Sequence, residues 1–151
     1  MLQPVDVLLV EDNPYDAELL LHALQAVRSI GKTLHVKDGV EALDFLFATG
    51  KFVDRDQYDN PKLILLDLKL PKISGFDVLK RIKAHQETRL IPVVILTSSR
   101  MESDIRSSYD LGVNSYVVKP VDFDQLQETA SELGKYWTKY NETLLQPQDA
   151  D

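Results

Sequence analysis

The chain has 151 residues, 44% hydrophobic and 27% charged, a composition ordinary for a soluble globular protein and a length expected of a single domain over residues 1–151. A net charge of −7 would repel a phosphate backbone, which argues against nucleic acid as a partner. No cysteine occurs, which removes disulfides, thiolate metal sites and thiol nucleophiles, and neither a leader peptide nor an ~18-residue apolar span is visible, so a cytoplasmic chain with no membrane contact is expected.

Short apolar runs alternate with helix-period segments, the pattern of βα units around a parallel sheet. The first strand is expected at 5–10, followed by Asn13 as a cap and Pro14 at the first helical position. Leu20, Ala23, Leu24 and Val27 then share one helix face. A second strand is expected at 33–37, and a helix over 39–49 carries Ala42, Leu43, Phe45 and Leu46 before stopping near Gly50. Residues 51–61 are polar and aperiodic and read as an extended surface loop. Ile64 to Leu66 are continuously apolar, as in a strand covered on both faces. A turn ending at Gly75 leads into a helix with Phe76, Leu79 and Ile82. The run 91–97 is the most apolar strand, and a weakly amphipathic helix at 102–111 offers Ile105, Tyr109 and Leu111 before Gly112. A fifth strand at 114–118 leads to Lys119-Pro120, and Asp122 caps a last helix with Phe123, Leu126, Ala130, Leu133 and Trp137 in register. The core spans 5–140, and 141–151 reads as an acidic tail.

Polar residues close four of these strands: Glu11 and Asp12, then Asp67, Thr97 and Lys119. In a parallel sheet, ligands bind beyond the carboxyl ends of the strands, so these side chains share one rim. Three carboxylates there would repel one another unless a cation intervened, and a hard ion such as Mg²⁺ suits oxygen donors. Glu11 and Asp12 taken alone could equally cap the following helix, and Lys119 alone could be a snorkelling surface lysine. Asp67 weakens the bland reading, because an unpaired carboxylate at the end of a buried strand is costly. Thr97 and Tyr116 are weak signals individually. His22, His35 and His85 are scattered, neither glycine-rich nucleotide fingerprint occurs, and no Gly-x-Ser-x-Gly elbow surrounds Ser74, Ser98 or Ser99.

These residues resemble the receiver domain of two-component response regulators over roughly 5–140. The matching motifs are Leu-Leu-Val-Glu-Asp-Asn (8–13), Leu-Leu-Asp-Leu-Lys-Leu-Pro (65–71) with Gly75, Leu-Thr-Ser (96–98) and Tyr-Val-Val-Lys-Pro (116–120). The resemblance implies a flavodoxin-like (βα)5 three-layer sandwich with a five-stranded parallel sheet in the order 2-1-3-4-5. It implies that Asp67 accepts a phosphoryl group from a histidine kinase, and that Asp12, Asp67 and the backbone carbonyl of Lys69 hold Mg²⁺ with support from Glu11. Lys119 would pair with a phosphoryl oxygen, Thr97 would close on another, and Tyr116 would turn inward as the switch. Water that hydrolyses the acyl phosphate would pass Ser98 and Lys69. The Lys119-Pro120 bond would be cis.

The long loop 51–61 and the aromatic stretch 134–140 are similar to stand-alone receivers paired with phytochrome-type histidine kinases. On that basis a downstream protein target is expected, and a possible homodimer through 102–111, 114–119 and 122–140. Tyr109, Tyr136, Trp137 and Tyr140 would supply its aromatic anchors, with core packing the competing role for Trp137. The protein would be a signalling component, catalysing only its own phosphorylation and dephosphorylation. A phosphorylation-independent adaptor is one alternative. A small-molecule phosphohydrolase of the haloacid-dehalogenase type is another, but Asp67-Leu68-Lys69 lacks the second acid such enzymes need.

Overall fold

The computed structural model describes residues 4–144. Five parallel strands form one sheet in the order β2-β1-β3-β4-β5. They are β1 (Val7–Val10), β2 (Thr33–Val36), β3 (Leu63–Leu66), β4 (Val93–Thr97) and β5 (Ser115–Val118), with helices α1 (Pro14–Gln25), α2 (Gly39–Phe47), α3 (Gly75–Ala84), α4 (Glu102–Asp110) and α5 (Phe123–Lys135). Each element lies within a few residues of its expected place, and the strand order is the expected one.

The central strands are buried throughout, and their side chains alternate between two apolar layers. Leu8, Val10, Ile64, Leu66, Val93 and Ile95 meet α2 and α3 through Leu46, Val78, Leu79 and Ile82. Leu9, Leu63, Leu65, Val94 and Leu96 meet α1 and α5 through Leu20, Leu24, Leu126 and Ala130. Both faces are covered, which is why these strands read as unbroken apolar runs.

One expectation about an individual side chain is corrected here. Phe123 is 67% exposed: it is the first residue of α5, and the buried face of that helix begins at Leu126. Tyr109, expected as a surface anchor, is 51% exposed, and the residue α4 buries is Ser108, whose hydroxyl donates to the Asp104 carbonyl. Loop 51–61 opens with a 3₁₀ turn at Gly50–Phe52 and is pinned from within. The Arg55 guanidinium lies 4.0 Å from the centre of the Phe45 ring and donates to the carbonyls of Phe45 and Asp59. Beyond α5 a π turn, Tyr136–Tyr140, half-buries Trp137 against the α1–α5 layer. The expected tail falls partly outside the described residues, at 145–151.

Candidate functional site

The rim beyond the carboxyl ends of β1, β3, β4 and β5 gathers the expected side chains. β1 ends in Glu11, 2% exposed, and solvent-facing Asp12. The chain then turns at once into α1. Asn13 accepts hydrogen bonds from the Tyr15 and Asp16 amides at 3.0 and 3.1 Å, and Pro14 needs no partner for a missing N–H. β3 delivers Asp67, 7% exposed, and the chain returns to it through Gly75. A Cβ on Gly75 would lie 2.3 Å from the Asp67 carbonyl oxygen, so only glycine lets α3 start this close to that backbone.

One oxygen each from Glu11, Asp12 and Asp67 fall within 4.8 Å of one another. Lys119 reaches into this cluster from the end of β5, its ammonium 2.7 Å from Glu11 Oε1 and 3.0 Å from Asp67 Oδ2. The second Glu11 oxygen accepts the Asn13 amide at 3.1 Å, and the second Asp67 oxygen accepts the Lys69 amide at 3.3 Å. Asp12 has no hydrogen-bond or ion-pair partner among the described residues.

Burial, and then the Asp67 charge, push the Glu11 carboxyl up to about 7, with Lys119 only partly offsetting them. Burial by itself pushes Lys119 down, but the Glu11 and Asp67 carboxylates hold its ammonium above the usual lysine range. A site with three crowded carboxylates and one ammonium favours added positive charge. All of its free valences are hard oxygens, so the donor set fits a divalent cation of the Mg²⁺ or Mn²⁺ kind, with exposed Asp12 as the open ligand.

Thr97 closes β4 with its hydroxyl fully buried and, among the described residues, without a hydrogen-bond partner. Thr33 shares that condition at the opposite end of β2. An unpaired buried hydroxyl costs on the order of 1–3 kcal/mol. Tyr116 is half-buried against the α2–α3 layer, and its hydroxyl donates to the Ser99 carbonyl at 3.0 Å. Ser98 and Lys69 are exposed at the rim. The expected cis bond before Pro120 is corrected: no described peptide bond is cis. A prolyl bond prefers trans by about 0.5–1 kcal/mol unless its surroundings demand otherwise.

Three participants were not expected from sequence. Asp16 Oδ2 lies 2.9 Å from the Lys119 ammonium. His35 donates from Nε2 to the Glu11 carbonyl at 2.7 Å, steadying the turn that carries both β1 acids. Ser99 Oγ donates to Asp104 Oδ2 at 2.5 Å, tying the β4–α4 loop to α4. Asp16 follows a cap and reads as a routine acid of a first helical turn, and His35 sits in an alternating strand, so neither carried a signal of its own.

A 2-1-3-4-5 parallel sheet with an acidic cluster and a lysine beyond its carboxyl ends defines the flavodoxin-like receiver class. The chain belongs to the response regulator receiver domain family of two-component signalling, whose family model matches residues 7–131. Response regulator Rcp1 of Synechocystis sp. strain PCC 6803 is 36% identical over 134 residues, covering 89% of each chain. The Mn²⁺-bound structure of Rcp1 superposes with a TM-score of 0.86 at 34% identity, over 93% of this chain and 99% of that one. The phosphorylated cyanobacterial phytochrome response regulator RcpA also gives 0.86, at 36% identity and the same coverage. The bacteriophytochrome response regulator RtBRR is 47% identical with a TM-score of 0.72, over 94% of this chain and 85% of that one. The fold and family expected from the motifs are therefore borne out. Among the described residues, no helix is long and apolar enough to cross a membrane.

Proposed function

We propose that Asp67 is the phosphoacceptor of this receiver, taking a phosphoryl group from a phosphohistidine of a sensor kinase. The observation that carries this reading is the clustering of Asp67 with Glu11 and Asp12, their oxygens within 4.8 Å, under the Lys119 ammonium. In the transfer an Asp67 oxygen forms a bond to phosphorus as the bond to the histidine nitrogen breaks, and the imidazole keeps the electron pair. Catalysis in such a reaction is positioning and charge stabilisation rather than covalent work by other groups. Lys119 moves a proton of its ammonium from the Asp67 carboxylate towards a phosphoryl oxygen. Thr97 gives its unpaired hydroxyl to another, which requires the β4 end to shift. Tyr116, bonded to the Ser99 carbonyl in the next loop, links that shift to the α4–β5 surface.

Asp12, Asp67 and the Lys69 carbonyl, supported by Glu11, would hold Mg²⁺, which when bound neutralises the pocket and the transferring group. Ser98 and Lys69, exposed beside the acid, line the approach for hydrolytic water. The protein would thus act on no substrate beyond its own acyl phosphate, in the cytoplasm.

The relatives named for phytochrome and bacteriophytochrome systems support a phytochrome-type histidine kinase as the partner. The exposed aromatics Tyr109, Tyr136 and Tyr140 support a downstream or homodimer contact along α4, β5 and α5. A sedimentation mass that stays monomeric at all concentrations in both phosphorylation states would remove the homodimer.

The test of the acceptor is intact mass after incubation with Mg²⁺ and acetyl phosphate. Wild type gains a single phosphoryl adduct that needs Mg²⁺, and Asp67→Asn gains none. An adduct on folded Asp67→Asn would place the acceptor elsewhere. A wild type inert both to acetyl phosphate and to phosphorylated kinases would favour an adaptor that keeps the fold without the chemistry.

A further inference from the structure

We propose that Asp16 is a positioning residue for Lys119, so that the first turn of α1, and not only the acidic pocket, sets where the ammonium stands. The inference rests on the reading of Asp67 as acceptor. An ammonium has three protons. Lys119 gives all three to carboxylates: Glu11 at 2.7 Å, Asp16 at 2.9 Å and Asp67 at 3.0 Å. Glu11 and Asp67 belong to the cluster that would hold the cation and receive the phosphoryl group, whereas Asp16 lies outside that cluster.

An acid in a first helical turn is ordinarily explained by the helix dipole, which an outward, solvated carboxylate satisfies equally well. Asp16 does something else. Its side chain is only 23% exposed and is bonded to a lysine 103 residues away on the far side of the sheet order. Its backbone is also fixed at the rim, because the Asn13 side chain accepts its amide at 3.1 Å and Pro14 restricts the turn before it. Asp16 is therefore an anchor attached to rigid helix.

Its use follows from what phosphorylation does to the other two. When the Asp67 oxygen bonds to phosphorus, that acceptor loses its carboxylate charge and Lys119 turns one proton to a phosphoryl oxygen. Glu11 and Asp16 keep the remaining two, and their separate attachment points, β1 and α1, hold the nitrogen between them. Without Asp16 the flexible lysine stem is held from the β1 side alone, and the ammonium drops towards Glu11 and away from the incoming group. Asparagine at position 16 would still present an oxygen acceptor in the same place, whereas alanine would not.

The experiment measures phosphorylation by acetyl phosphate, at varied Mg²⁺, for wild type, Asp16→Ala and Asp16→Asn, with Asp67→Asn alongside. Asp16→Ala is expected to lower the maximal rate by about tenfold or more, the scale of a small misplacement of a charged group. Its half-saturating Mg²⁺ should stay within about twofold of wild type, since Asp16 is not a ligand, and Asp16→Asn should recover the rate to within about threefold. The inference is overturned by an unchanged rate in Asp16→Ala, by equal losses in both variants, or by a loss that more Mg²⁺ abolishes. No adduct on wild type, or an adduct on Asp67→Asn, would instead overturn the acceptor reading beneath it.

Discussion

Lys119 and Lys83 stand at opposite ends of the same sheet, both withdrawn from water, and their chemistry is opposite. Lys119 sits at the carboxyl end of β5 among the carboxylates of Glu11, Asp16 and Asp67. Lys83, near the end of α3, donates to the carbonyls of Arg89 and Ile91 at 3.1 and 2.9 Å and to Asn114 Oδ1 at 2.9 Å, where the chain enters β4 and β5. Burial disfavours both ammonium groups. It pushes Lys83 down to about 8, because its partners are neutral, whereas carboxylates hold Lys119 above the usual lysine value. Neutral acceptors make a fixed corner that joins three elements. Charged acceptors make a site whose bonding changes when the charge on one acid changes.

The most severe way to break the contrast is Lys119→Met. It strands three carboxylates, two of them under 9% exposed, and uncompensated buried charge typically costs about 3–5 kcal/mol. Urea unfolding without divalent cation should show that loss. Added Mg²⁺ should return more stability to Lys119→Met than to wild type, since a cation binds best where the resident one has been removed. Equal Mg²⁺ responses would mean that the lysine and the metal do not share the same carboxylates.

Lys83→Met is the matched change at the other end. It leaves three neutral acceptors short of a donor but no stranded charge, so a loss of about 1–3 kcal/mol is expected, with the phosphorylation rate unaltered. Its signature is the pH dependence. The folded value, about 8, lies below the ordinary lysine value of 10.5 that holds in an unfolded chain, so between those limits the unfolded state carries more protons. Stability of wild type should therefore rise with pH from about 8 to about 10.5 through this group, and Lys83→Met should lack that component. A persistent slope of the same size in Lys83→Met would assign it to another group.

The two ends were not equally legible in the sequence. The rim showed itself because a polar residue interrupting an apolar strand has a fixed position, the carboxyl end, and a parallel sheet brings such ends together. Thus Glu11, Asp12, Asp67, Thr97 and Lys119 were found without any knowledge of contacts. Lys83 was invisible, since a lysine in the last turn of a helix is satisfied equally by the dipole, and only the packing of α3 beside two strand entries gives it three acceptors. Asp16 was hidden by the same kind of local sufficiency. Phe123 was misplaced because helical spacing assigns a face but not at which turn that face first meets the core. Loop 51–61 looked unstructured because its order depends on Arg55 stacking on Phe45, a contact with no period in sequence.

An exposed ion pair on α4 calibrates the buried one at the rim. Arg106 Nη2 and Glu102 Oε1 are 2.8 Å apart on α4, as close as Lys119 is to Glu11, yet their side chains are 71% and 83% exposed. Distance alone would rank the pairs as equals. In water the Coulomb attraction is screened and the two long side chains lose rotamer freedom in forming the contact, so an i, i+4 pair of this kind contributes only about 0.3–0.5 kcal/mol. Arg106→Gln should change unfolding free energy by no more than that, and raising the salt concentration should erase the difference. A loss approaching that of Lys119→Met would mean that proximity rather than exclusion of water sets the strength of the rim pair. The contrast between the two lysines would then need a different cause.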